Sequence, residues 1–324
     1  MKKRLKGVGG LPRKLFTILM LSAMATLGWA ADNSIYIDQA GDGATISMTQ
    51  DGAGNRVRGI QATGNVGDDK PSIIKGDAIS VNIQQIGSGN VLNMGIDTTT
   101  ANGGSPTDVR YKVTGNNAIG TINLNNGNGG VNASTFLSIE QTGDGARSDI
   151  NILGRSNSLT VQQTGGNNNK ITASINADTV LASVNQSLGG GNETALTVSS
   201  NKANLDMVTT GASNITTISQ TNGTGSMGQA VKLRVDGTGN TTSISQDGVL
   251  DHTADVKIKG DGNTVNLNQQ AGYSTGQYAK VDLDNTGGSA NTVTVNQSGA
   301  VDNTANLKIR GGGNTVTINQ RLTP

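Results

Sequence analysis

A nucleophilic relay or a metal cage needs side chains that this sequence scarcely owns. His252 is its only histidine and cysteine is absent. A Ser-His-Asp or Cys-His set has one imidazole to draw on at most, and no second imidazole or thiol exists to complete a metal site. Within Asp251-His252-Thr253, the histidine is expected to be an exposed loop residue. Asp282 and Asp284 could be cast as the acidic pair of a polysaccharide-cleaving β-helix enzyme. Lys259 and Arg310 flank them in the repeat described below, so a structural charge role is expected instead. Gly311-Gly312-Gly313-Asn314 has the glycines of a phosphate loop but no helix after it. The calcium-binding nonapeptide is missing. The sequence therefore points to no enzyme, no cofactor and no resident metal.

What recurs is carboxamide. Ala254–Gln269 reads as two alternating segments joined by Asp261-Gly262. Ala254, Val256, Ile258 and Gly260 face one way in the first; Asn263, Val265, Leu267 and Gln269 share a face in the second. Period-two alternation marks half-buried strands, and Asp261-Gly262 is expected to supply the turn between them. The second segment spells Asn-x5-Gln, and that spelling returns at Asn33/Gln39, Asn55/Gln61, Asn157/Gln163, Asn214/Gln220, Asn240/Gln246, Asn291/Gln297 and Asn314/Gln320. A repeat of about 22–23 residues implies a solenoid in which each circuit covers its neighbour's core. Stacked circuits would bring like residues together every ~4.8 Å, so the interior Asn and Gln are expected to form amide ladders along the axis.

The outward positions of the first segment carry a second pattern. Lys232, Asp255 and Lys280 occupy one position in successive circuits; Asp236, Lys259, Asp284 and Arg310 occupy another. Signs alternate, so stacking sets opposite charges one rung apart and resists a slipped register. The outer face of the second segment is uncharged: Thr241/Ser243/Ser245, Thr264/Asn266/Asn268, Thr292/Thr294/Asn296 and Thr315/Thr317/Asn319. It reads as solvated strand, or as a lateral packing or ligand face.

The chain of 324 residues begins with Lys2, Lys3, Arg4, Lys6, Arg13 and Lys14, then the apolar run 15–27, then Gly28-Trp29-Ala30. This is the pattern of a secretory signal peptide cleaved after Ala30, with a run too short to remain as a membrane span. Its removal leaves 18 basic against 23 acidic residues, a balance that argues against general nucleic-acid binding. Aromatics at 2% and 47 glycines argue against an ordinary globular core. Residues 31–324 read as one all-β solenoid of stacked two-strand circuits. A loop insertion is expected near 62–77, an irregular region near 98–132, and imperfect alternation over 171–200.

The Asn-x5-Gln-x-Gly-x-Gly spacing, with Gln39, Gln50 and Gln61 spaced by eleven and the glycine arcs after Gln85 and Gln141, resembles the curlin repeat, with Asn in place of the family's Ser. The resemblance covers most of 33–320. It implies a curli-like β-solenoid that is secreted to the cell surface of a Gram-negative bacterium. It also implies self-association into extracellular amyloid fibres of biofilm matrix by edge-strand templating, with other curli-like subunits and an outer-membrane export pore as partners. Circuits of uneven length, and the lack of the Gly-rich leader of the major curlin, depart from the family. The alternative is a monomeric solenoid adhesin, or an ice- or polysaccharide-binding protein, using the Thr/Asn face.

Overall fold

The computed structural model describes residues 34–321 apart from 41–43, 53, 59–70, 77–78, 87–88, 99–106, 115–116, 126–133, 143–144, 166–167, 190, 223–227, 249–251, 271–276, 286–287 and 299–302. The segment 1–30, Asn33 and Gln61 lie outside the described residues. Within them the chain is a β-solenoid with no helix, built from parallel strands. No helix among these residues is long and apolar enough to cross a membrane.

Each circuit contributes one strand to each of two ladders. The first ladder runs Ile35, Val57, Leu92, Gly120, Ser148, Ile171, Thr194, Thr216, each in parallel register with the next. It continues through Thr217–Ser243 and Ser245–Asn268, and between Val293 and Val316. The second ladder runs Ile46, Val81, Val109, Leu137, Leu159, Ala182, Leu205, Val231, Ala254, Ala279, Ala305. Three long strands, Arg147–Thr164, Lys170–Gly189 and Thr194–Gly211, bend from the first ladder into the second without a break. Gly154, Ala177 and Ser200 stack at that bend, where small residues let the backbone turn. The alternation over 171–200, imperfect by sequence, falls almost entirely within the strands Lys170–Gly189 and Thr194–Gly211.

The core lies between the ladders as axial columns of aliphatic side chains, from Ala44 to Val295. Each buried Val, Leu or Ile contributes roughly 1.5–3 kcal/mol, so the columns supply the main driving force despite the low apolar content. One column holds Met48, Ile83, Tyr111, Ile139, Val161, Val184, Met207, Leu233, Val256 and Val281. Tyr111 is its largest member and reaches the opposite ladder. A Cβ on Gly120 would lie 2.8 Å from the Tyr111 ring, so that glycine is the space the ring occupies.

Two irregular segments are more regular than their sequences suggest. The insertion read at 62–77 contains the strand Ser72–Lys75, whose Ser72 pairs with Met94 and whose Ile74 pairs with Ile96. Val57 pairs with Leu92, and Ser72 and Ile74 with Met94 and Ile96, so Ser72 and Ile74 follow Val57 on the interior face of the same rung. The region 98–132 contains strands Thr107–Thr114 and Gly120–Asn125, each a full rung. Asn and Gly there lower the apparent alternation without preventing pairing, because neighbours above and below supply the hydrogen bonds.

Candidate functional site: amide ladders and an open last circuit

Asparagine begins the first-ladder strand in most circuits. Asn90 donates to Asn55 Oδ1 at 2.8 Å. After Ala118 and Ala146 a longer run follows: Asn192 to Asn169 at 3.3 Å, Asn214 to Asn192 at 2.9 Å, Asn240 to Asn214 at 2.8 Å, Asn263 to Asn240 at 2.6 Å and Asn291 to Asn263 at 2.7 Å. Asn314 donates to Asn291 and closes the run. The same amides fix the preceding turn. Asn214, Asn240 and Asn263 donate to the carbonyls of Gly211, Gly237 and Gly260 at 2.8, 2.8 and 2.7 Å. These glycines stack with no room for a side chain: a Cβ on Gly237 would sit 1.8 Å from the Gly211 carbonyl oxygen, and one on Gly260 would sit 2.4 Å from that of Gly237. Gly260, at φ 117°, carries the left-handed turn expected of Gly262.

Among the described residues the motif glutamines do not all lie on the same ladder. Gln163 donates to Gln141 at 2.8 Å and Gln186 to Gln163 at 2.9 Å, all three on the second ladder. Gln220 donates to Gln246 at 2.7 Å, Gln246 to Gln269 at 2.6 Å, Gln269 to Gln297 at 2.7 Å and Gln297 to Gln320 at 3.0 Å, all on the first ladder. The motif glutamines therefore form two ladders, on opposite sides of the interior and with opposite donor direction. Asn157/Gln163 belongs to the second sheet, where Asn157 is in register with Thr135 and Val180, outside the asparagine run. Both sheets face the same interior, so the spelling is compatible with either strand, and stacking on the adjacent rung selects one. Gln39 lies on the first ladder opposite Ile74.

The second-ladder glutamines also clamp the arc that follows them. Gln50, Gln141, Gln163 and Gln186 donate to the carbonyls of Arg56, Arg147, Lys170 and Glu193 at 2.9, 3.0, 3.1 and 3.2 Å. Ser148 and Thr194 hydroxyls donate back to Gln141 and Gln186 at 2.8 and 2.9 Å. Gln50, Gln141 and Gln186 thus act as corner ties, legible in the glycine arc but not among the Asn-x5-Gln pairs.

His252 is fully buried, contrary to the exposed loop expected. It opens the strand His252–Lys259 in register with Gln229 and Gln277, both buried, and faces the interior. The strand begins two residues before Ala254, where the alternation was read to start, because pairing on both neighbours extends it. Tyr111 donates to Gln85 Oε1 at 2.8 Å, and burial pushes its phenol pKa well above the ordinary value. Among the described residues no group of three or more His, Asp or Glu is placed to hold a metal.

The outer faces differ. On the second ladder Lys232, Asp255 and Lys280 are in register, as are Asp236, Lys259, Asp284 and Arg310. Lys280 pairs with Asp255 at 2.9 Å and Arg310 with Asp284 at 3.3 Å. The Asp255 hydrogen bond and charge hold the Lys280 ammonium above the ordinary lysine range. Asp236 is taken by Arg234 of its own strand at 2.6 Å, so register does not make every rung an ion pair. The ladder extends one rung down to Asp206, 4.0 Å from Lys232. The first ladder's face over the same circuits presents hydroxyls and amides, with Asn296 donating to Asn319 at 3.4 Å.

Among the described residues the stack ends open. Val316 and Ile318 are 46% and 40% exposed, and Ala305, Leu307 and Ile309 are only partly covered. Asn314 and Gln320, read as interior, are interior by position but exposed because no described residue stacks above them. Gln320 accepts from Gln297 and keeps its own N–H donors. Asn314 spends its N–H donors on Asn291 and the Gly311 carbonyl and keeps its oxygen. No protein-family model, curated protein or solved structure matches the chain.

Proposed function

We infer that the chain is exported and serves as a structural subunit of a curli-like extracellular fibre, growing by head-to-tail addition of whole solenoids. The observation that carries this reading is the open last circuit and its match to the first. Asn314, Val316, Ile318 and Gln320 correspond in type and spacing to Asn33, Ile35, Ile37 and Gln39. On the other strand Ala305, Leu307 and Ile309 correspond to Ala44, Ile46 and Met48. A second copy set on the last circuit in the parallel sense continues both aliphatic columns. It meets the Gln320 donors with the Gln39 carbonyl.

Ile35, Ile37 and Ile46 are only partly covered at the other end. Covering these side chains on both partners offers on the order of 10 kcal/mol. That is comparable with the roughly 4–15 kcal/mol that association costs, so the backbone and amide hydrogen bonds of the joint decide the balance. A heterologous contact of this kind does not close on itself and yields a filament. In this reading biofilm matrix is the destination, and an export pore and related subunits are the accessory partners.

The test uses residues 31–324 diluted from denaturant, with and without sonicated seed, followed by thioflavin fluorescence and fibre diffraction. Seeded growth with a ~4.7 Å meridional spacing is expected. Ile318→Lys changes a side chain already exposed in the single chain. It should leave thermal unfolding of the monomer unchanged and abolish seeded elongation. A soluble β-rich monomer at all concentrations, or undiminished growth of Ile318→Lys fibres, would overturn the reading.

A further inference from the structure

Away from both ends, a groove of about 490 Å³ opens on the outer face of the second ladder near Asp108, Arg110, Phe136 and Ser158. Phe136 is the only phenylalanine after Ala30 and is 37% exposed. It stands in register between Asp108 and Ser158. Arg110 lies over one side of the ring, 5.8 Å from its centre, and is itself held by Asp108 through Nε at 3.2 Å and Nη2 at 2.9 Å. The Asp108 hydrogen bond and charge raise the Arg110 pKa above its ordinary value. Lys112, on the same strand face, is paired with Glu140 at 2.9 Å.

These charges compensate one another, so the groove offers polar contacts without a net charge to select an anion or a cation. Arg110 has five N–H donors and spends two on Asp108, leaving others in a fixed plane. Ser80, Ser134 and Ser158 line the groove with hydroxyls. An apolar ring beside convergent neutral donors and acceptors suits a ligand with one C–H face and a hydroxyl rim.

We propose that this groove binds a neutral polysaccharide, with a pyranose ring on Phe136 and its hydroxyls on the Asp108–Arg110 pair. Leu181, 54% exposed and two rungs on from Phe136 through Ser158, extends the apolar track along the axis. Successive sugars then lie across the rungs rather than along a strand. The site is independent of fibre growth, since none of its residues belongs to the first or last circuit.

Affinity electrophoresis of folded residues 31–324 through gels containing a mixed-linkage β-glucan, a galactomannan or alginate tests it. Retardation is expected from at least one neutral polymer and not from alginate. Phe136→Ala should weaken that retardation roughly tenfold, and Phe136→Tyr should keep it. Circular dichroism and seeded elongation serve as fold controls. Retardation by alginate alone, no retardation by either neutral polymer, or retardation unchanged in a folded Phe136→Ala variant would each overturn the proposal.

Discussion

In the circuit around Gln163 the glutamine closes the second ladder, donates toward the N-terminal end and ties the arc that follows. Around Gln246 it closes the first ladder and donates toward the C-terminal end. The partner positions change in step. Where the second ladder carries Gln141, Gln163 and Gln186, the first carries Leu124, Ile152 and Ile175; where the first carries Gln246, Gln269 and Gln297, the second carries Ile258, Leu283 and Ile309. Thr209 and Val198 lie at the exchange, followed by Val235 and Gln220. The tight corner moves too, from Gly154, Ala177 and Ser200 on one side to Gly211, Gly237 and Gly260 on the other. One interior accommodates either arrangement because each rung needs amide upon amide and aliphatic upon aliphatic, not a fixed sheet for either.

The largest expected effect breaks the corner of the later circuits. Gly237→Ala drives a Cβ into the Gly211 carbonyl at a left-handed φ of 148° and should cost about 3 kcal/mol or more. At Gly165, with φ 60° and open space around it, the same change should cost about 1 kcal/mol. Urea unfolding of both variants checks the difference, and equal costs would remove the close-packed corner as its cause.

Next come the two glutamine ladders. Gln163→Leu and Gln246→Leu each leave buried amide partners unmatched and should cost about 1–3 kcal/mol. They lie on opposite ladders, so the double variant should be additive within about 0.5 kcal/mol, whereas Gln246→Leu with Gln269→Leu, which are hydrogen-bonded, should cost less than their sum. Additivity in both pairs would mean that the ladder is not a cooperative unit.

Tyr111 separates the earlier circuits by pH. Its phenol pKa is raised in the fold, so the stabilisation is complete below the unfolded value of 10.0 and is lost as pH rises above it. Thermal unfolding from pH 8 to 11 should show a fall in wild-type stability beginning near the unfolded value. Tyr111→Phe should lack that component while being less stable at neutral pH, because Gln85 loses its donor.

The smallest effect is at the surface. Asp284→Lys places like charges in register with Lys259 and Arg310 and should cost more than Asp284→Asn, by a few tenths of a kcal/mol to about 1 kcal/mol. The excess should vanish in high salt; a salt-independent difference would assign it to packing.

Period-two alternation and recurring amides determined the fold class, the interior faces and the outer charge register from the sequence alone. Each rests on local chemistry: a strand side chain points in or out by parity, and Lys232, Asp255 and Lys280 remain in register whichever sheet holds them. The sheet to which an Asn-x5-Gln strand belongs was left to the stacked neighbours. So were the burial of His252 between Gln229 and Gln277, and the completion of the Asn55 strand by Ser72 and Ile74. Parity places a residue inside or outside within its own strand, but only the rung above and the rung below determine which backbone it pairs with.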